Sequence, residues 1–422
     1  MLADTTGRFG LLQINDAYGR NNASMTTAQI QAEAPHTDSV WGSFQPGTWD
    51  AAHPGMIVSR YVLPNEDVKL ISGHDLIWWQ ANHPDWILYA CKADGTPTHD
   101  LAASGTGFGD IPLDIHNPDV IDYQIRQLVG PDMIANGYNA IAADNITFLN
   151  YLYDQSAPGS GGYGCGIWQG STFVRRYGPA TGGDFDKADP DFIADLVNWI
   201  KTVHTMLATD PTLAPHRFKL IINHPFVGST PTATEASMLQ SVDGVLDESG
   251  FTHYGGRVTG SGFVTTLNWA QYTQSNRIAM FFADYFCSSS NTNPDTGLPC
   301  STDPMSLTPA EIDWALATYA LVNNGGANVY ISPKGGAIYT YRSEYATRYG
   351  GPCSGYATNG TYFYSRRFQS GFAVVNAGSS PQSITLPSGH TYTDVGGRAV
   401  SSPLTVNGGD AYMLTTNANG CS

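Results

Sequence analysis

SVDGVLDESGFTHY, residues 241–254, is the stretch on which the fold turns. Val242 to Leu246 reads as a short apolar strand that ends in two adjacent carboxylates, Asp247 and Glu248. Packing alone gives little reason for charge at that place, because an unpaired buried acid is costly. An earlier stretch has the same form. Residues 139–144, NAIAAD, align with residues 243–248, DGVLDE, and set Asp144 opposite Glu248. Two buried strands, each with a carboxylate at its C-terminal end, predict a paired-acid site.

Working outward, strand signals recur at 9–14, 56–62, 86–91, 139–143, 219–223, 242–246, 278–282 and 329–331. Helical patterns fall at 26–33, 68–81, 119–136, 191–207, 232–240, 265–275 and 308–323. Gly73 weakens the second of these. Asp114 and Asn117 are candidate caps for the third, and Thr308 with Glu311 has capping-box spacing. The strands are short and apolar on both faces, as in a parallel sheet covered by helices. Strand count and alternation predict an α/β fold, a (β/α)8 TIM barrel, over a doubly wound sheet. After Gly335 the pattern changes to β-segments at 362–367, 371–376, 383–386, 392–395 and 411–415, separated by turn residues. The expected organisation is a barrel over 1–340 and a small C-terminal antiparallel β-domain over 341–422.

A hydrophobic fraction of 41% suffices for a large core, while only 13% of residues are charged. The formal net charge of -16 leaves no basic patch for nucleic acid or anionic lipid. No apolar run is long enough to span a bilayer. Met1-Leu2-Ala3-Asp4 lacks the charged and apolar regions of a signal peptide; the chain is either cytosolic or, the preferred reading, a mature form with an added Met. The six cysteines form no CxxC pair, which argues against zinc and for disulfides in an oxidising compartment: secreted, extracellular or periplasmic. Cys287–Cys300 is the expected bridge, with buried thiols as the alternative.

In such barrels the working residues sit at the C-terminal ends of strands. That rule collects Asp16, Arg60, Tyr61, Lys92, Asp94, Asp144, Asn145, Asn223, His224, Asp247, Glu248, Asp284, Tyr285 and Lys334. Two carboxylates flanking a glycosidic bond can divide acid and nucleophile or base roles, which makes Asp144 and Glu248 the catalytic candidates. The blander reading is a cap for Asp144 and an ion pair for Glu248. Strand alternation sends Asp247 and Glu248 in opposite directions, and the match to the Asp144 strand assigns Glu248 to the pocket and Asp247 to support. Substrate-binding candidates are Asp16, Tyr61, Asn145, Tyr151, Trp168, His224, Asp247, Asp284 and Tyr285. Aromatic rings suit the apolar face of a sugar; Tyr151, Tyr153 and Trp168 lie on a long loop, 151–184, whereas Trp78 and Trp79 suit helix packing. His224 before Pro225 also fits a structural turn, and Asp284-Tyr285 a structural role beside Cys287. Asp184, Asp186, Asp189 and Asp191 lack the glycine and terminal Glu of an EF-hand and read as a cap for the helix that follows. GSGGYG, 159–164, matches a dinucleotide fingerprint only by chance, since neither strand nor helix flanks it. Neither metal nor cofactor is expected.

Four stretches carry a resemblance. PLDIHNPDVIDYQIRQLV (112–129), NGYNAIAADN (136–145), SVDGVLDESGF (241–251) and YFYSRRFQSGFAVVNAG (362–378) resemble the hypothetical glycosyl hydrolase family 15 group of barrel proteins. They are also similar, more distantly, to polygalactosaminidase-like barrels. The resemblance implies an Asp after strand four and a Glu after strand six, at Asp144 and Glu248. By that analogy Asp144 is the nucleophile and Glu248 the acid/base of a retaining α-glycosidase. Ala140 stands where the family pattern has Gly.

The expectation is therefore a secreted glycoside hydrolase acting on a poly- or oligosaccharide. The alternatives are a carbohydrate-binding barrel without catalysis, and a lyase or aldolase forming a Schiff base at Lys92 or Lys334.

Overall fold

The computed structural model describes residues 8–14, 24–67, 72–92, 95–102, 111–149, 163–178, 189–226, 228–248, 250–252, 256–286, 307–324, 329–334, 341–417 and 420–421. Eight strands form one sheet in chain order: β1 (Leu12–Ile14), β2 (Ser39–Trp41), β3 (Ile57–Val62), β4 (Ala140–Ala143), β5 (Lys219–Asn223), β6 (Gly244–Asp247), β7 (Ala279–Tyr285) and β8 (Val329–Lys334). Pairing is parallel at β1–β2, β2–β3, β4–β5, β6–β7 and β7–β8. A parallel bridge between Leu11 and Ile331 joins the last strand to the first. A helix follows each of the first seven strands, which makes the fold the expected (β/α)8 barrel.

Eight strands were expected, but the set differs by one exchange. The 86–91 signal is not a barrel strand: Pro84–Trp86 is a single 3-10 turn, and Tyr89–Cys91 pairs antiparallel in a separate four-stranded sheet. The second barrel strand is instead Ser39–Trp41, three buried residues too few to show a period. The helix expected at 68–81 is corrected to Leu76–Asn82. Gly73 takes a left-handed φ of 78°, and Asp75 caps the helix through the Trp78 N–H.

The chain divides into two compact units. One is Met1–Arg60 with His224–Ala233 and Asp243–Ser422; the other is Tyr61–Asn223 with Thr234–Val242. In the second unit, Asn117 caps the helix from Pro118, as expected, but Asp114 is buried in an ion pair with Arg176 at 2.8 Å. The Pro190–Thr209 helix is capped by Asp189, which accepts from the N–H groups of Asp191 and Phe192. That disposes of one member of the acidic cluster; Asp184 and Asp186 lie outside the described residues. A disulfide, Cys91–Cys165, staples two strands of the four-stranded sheet.

In the first unit, the Pro309–Val322 helix carries the Thr308–Glu311 capping box. Every residue from Glu311 to Val322 is buried, as in a helix covered on all sides. One cover is β8; the other is a six-stranded antiparallel sheet that contains Phe363–Phe368, Gly371–Asn376 and Ala411–Thr416. Alternation along these strands puts Phe363, Phe372 and Val374 into a core beneath Leu404 and Val406. Cys353–Cys421 ties the sheet's approach to the chain end. The expected Cys287–Cys300 bridge falls outside the described residues.

Candidate active site

In the second unit the small, fully buried strand AIAA delivers Asp144 as the first residue beyond β4. The Asp144 N–H donates to Val62 O at 2.9 Å, which fixes the backbone against β3. Tyr61, on β3, donates its hydroxyl to Asp144 Oδ2 at 2.5 Å. Asn223, ending β5, donates Nδ2–H to Asp144 Oδ1 at 2.6 Å. Both carboxylate oxygens are thus held from the two flanking strands, while the side chain keeps some exposure. Asn145 then turns the chain with a φ of 56°, a left-handed conformation that asparagine tolerates better than most residues. The next N–H, of Ile146, returns to Asn223 O at 3.1 Å. The result is an oriented, accessible carboxylate with free lone pairs, suited to nucleophilic attack or base catalysis.

In the first unit, β6 ends in Asp247, which is buried, and Glu248 follows half-exposed. His224 donates its backbone N–H to Leu246 O at 3.0 Å and has almost no exposed surface. Its ring lies 6.1 Å from that of Trp269. Asp284, near the end of β7, is 0% exposed and accepts the Phe251 N–H at 2.8 Å. Burial pushes its carboxyl up to about 8; the Phe251 N–H opposes this and the nearby Asp247 adds to it. His224, Asp247 and Asp284 are therefore buried and offer a sugar little or no surface.

The remaining candidates lie elsewhere or beyond description. Trp168 is not on a loop but in the strand Tyr163–Gln169 of the four-stranded sheet. Its indole N–H donates to Thr98 O at 2.8 Å, and its ring stacks on His99 at 4.3 Å. Trp79 is buried and donates to Asp67, as helix packing predicts, while Trp78 stacks on His74 at 3.6 Å. Asp16, Tyr151, Tyr153 and Asp94 lie outside the described residues, as do the side chains of Tyr285 and Lys334. Lys92 is exposed and follows the separate antiparallel sheet, which removes it from the barrel's strand ends. Among the described residues no cluster of His, Cys, Asp and Glu could hold a metal, and no helix is long and apolar enough to cross a membrane. Asn223 was gathered by the strand-end rule but not assigned a role; its place at the end of KLIIN was the available signal. Phe251 and Gly250, which meet Asp284, were not singled out.

No family model and no curated protein matches the chain. Among solved structures it is similar to a point variant of a trehalulose synthase in complex with Tris, with a TM-score of 0.50 and 10% identity over 97% of this chain and 99% of that one. A pullulanase from Anoxybacillus sp. LM18-11, complexed with maltotriose, has a TM-score of 0.41 at 11% identity, over 87% of this chain and 54% of its own. A cycloisomaltooligosaccharide glucanotransferase from Paenibacillus sp. has 0.41 at 9% identity, over 98% and 56%. At such identities the trehalulose synthase likeness is one of fold, the barrel. The three structures named here belong to neither group suggested by the sequence motifs.

Proposed function

We propose that the chain is a glycoside hydrolase that cleaves an α-linked poly- or oligosaccharide with retention. Asp144 is the nucleophile: a carboxylate oxygen attacks the anomeric carbon as the bond to the leaving oxygen breaks. Glu248 gives its proton to that oxygen, then takes one from the water that releases the glycosyl group. The observation that carries the reading is the cradle of Asp144. Tyr61 and Asn223 hold its two oxygens, and the side chain remains accessible at the end of β4. A purely structural cap would spend those oxygens on backbone N–H groups. Asn145, half-exposed beside it, is proposed to meet a sugar hydroxyl. The two disulfides, Cys91–Cys165 and Cys353–Cys421, support an oxidising, extracellular or periplasmic setting.

The test is a panel of 4-nitrophenyl α-glycosides and α-linked polysaccharides, with the anomer of the first product read by NMR. Asp144→Asn and Glu248→Gln should each lower kcat by about 10³-fold or more without unfolding the chain. Turnover undiminished in both variants would refute the roles. Sugar binding without any product would favour the carbohydrate-binding alternative.

A further inference from the structure

Two points on either side of Glu248 in the chain are held, one at Asp247 and one at Gly250–Phe251. At the first, Asp247 is in register with Phe282 on β7. At the second, Phe251 is fully buried between the rings of Phe263 and Phe282, at 5.0 and 5.2 Å. The Phe251 carbonyl accepts from Trp314 Nε1–H at 3.0 Å and from the Val258 N–H at 2.9 Å. Its N–H is taken by Asp284 Oδ1 at 2.8 Å. Gly250 passes so close to this carboxyl that a Cβ there would lie 2.2 Å from Oδ1, and its φ of 53° is left-handed. Asp284 Oδ2 is buried with no hydrogen-bond partner among the described residues. A carboxylate in that place would leave a charge uncompensated, whereas a carboxylic acid would not.

We propose that Asp284 is a positioning residue, an uncharged carboxylic acid that clamps the Gly250–Phe251 turn and so fixes the direction in which Glu248 leaves β6. This role rests on the proposed function for its catalytic consequence, but the clamp itself does not. Glu248 lies between two fixed points, one the β6–β7 register and the other the Asp284 hydrogen bond. Losing the second lets the segment move, and a displacement of about 1 Å at a reacting group costs about 10²-fold in rate. The burial that raises the Asp284 carboxyl to about 8, with Asp247 adding to it, agrees with the uncharged form at neutral pH.

Three measurements test it. First, the infrared difference spectrum at pH 6, wild type minus Asp284→Asn, should show one protonated-carboxyl carbonyl band, over and above the band that Asp313 leaves in both proteins; no such difference would overturn the proposal. Second, the peptide spanning residues 247–252 should exchange amide hydrogen at least about 10-fold faster in Asp284→Ala than in wild type, with Asp284→Asn near wild type. Equal exchange in all three would overturn it. Third, on the 4-nitrophenyl α-glycoside cleaved fastest, Asp284→Ala should lower kcat by about 10- to 100-fold with KM within about threefold, and Asp284→Asn should restore most of the loss. An unchanged kcat in Asp284→Ala, with the same melting temperature, would overturn the positioning role. If the wild type cleaves no glycoside, the hydrolase reading fails, while the infrared and exchange results still decide the clamp.

Discussion

Asp144 owes its orientation to residues 83 and 79 positions away, Tyr61 and Asn223. The acid itself was legible, because a carboxylate closing a run of small apolar residues has few structural uses. Its donors were not, since the contact depends on which strands flank β4 and on where each one ends. The burial of His224 and Asp284 was hidden for the same reason: the strand-end rule locates a residue along the sheet but does not tell pocket from interior. Tyr61→Phe removes one donor and little volume. A hydrogen bond to a charged group contributes about 1.5–3 kcal/mol. The variant should therefore lose about 10- to 100-fold in kcat/KM on the best glycoside, with a melting temperature within a few degrees of wild type. Steady-state kinetics decide this, and undiminished kcat/KM would mean that Tyr61 does not hold the acid for catalysis. Asn223→Ala should behave alike, and the double variant should show less than the sum of the two losses, because both act on one carboxylate.

Among the elements, helices with side-chain caps were read well: Thr26, Asn117 and Thr308 each begin a helix where the sequence places one. The barrel's strand count held through two offsetting differences. WILYAC is apolar enough to pass for a buried parallel strand, but its hydrogen bonds run to antiparallel partners. Ser39–Trp41 has no run to detect. The packing at the C-terminal end of the Pro309–Val322 helix was less legible still. Arg366, on the C-terminal sheet, is buried and donates Nη1–H to Leu321 O and Asn323 O, each at 2.8 Å. Its Nε–H reaches Ser354 O at 2.9 Å. The first two are carbonyls that a helix end leaves unpaired, and a cation there also meets the negative end of the helix dipole. Burial lowers the guanidinium to about 10, so it stays charged at neutral pH. Arg366→Ala should cost about 3 kcal/mol in urea unfolding, since several buried acceptors lose their donor together. Arg366→Lys should recover only a minor part, because an ammonium cannot fork across them. Full stability in the alanine variant would show that water or a neighbour satisfies the helix end.

At the scale of the whole molecule, the composition and acidity were plain in the sequence, but not which acids the fold would bury. Asp313 lies in a helix whose every face is covered, one of them by the C-terminal sheet. It accepts the Met413 N–H at 3.0 Å. Burial raises its carboxyl to about 7, opposed by that N–H and by Arg398 and Arg257 and reinforced by Asp394. In the unfolded chain the same group titrates near the ordinary value, 3.8. Below about pH 4 both states hold the proton, so the folded state has its full advantage. As pH rises the unfolded chain releases the proton first, and stability falls until the folded form ionises near 7. Each unit of separation is worth about 1.4 kcal/mol, so the loss between pH 4 and pH 7 is on the order of 2–4 kcal/mol. Asp284 adds a decline of the same sign that extends to about 8. The net charge of -16 also disfavours the compact state as pH rises, so the slope of the wild type alone is ambiguous. Asp313→Asn separates the two, because it removes the titration and keeps an acceptor for Met413. Urea unfolding at pH 5 and pH 8 should show the variant gaining on the wild type by about 2–3 kcal/mol at the higher pH. Parallel pH profiles would mean that Asp313 is already ionised in the folded state, balanced by Arg398 and Arg257.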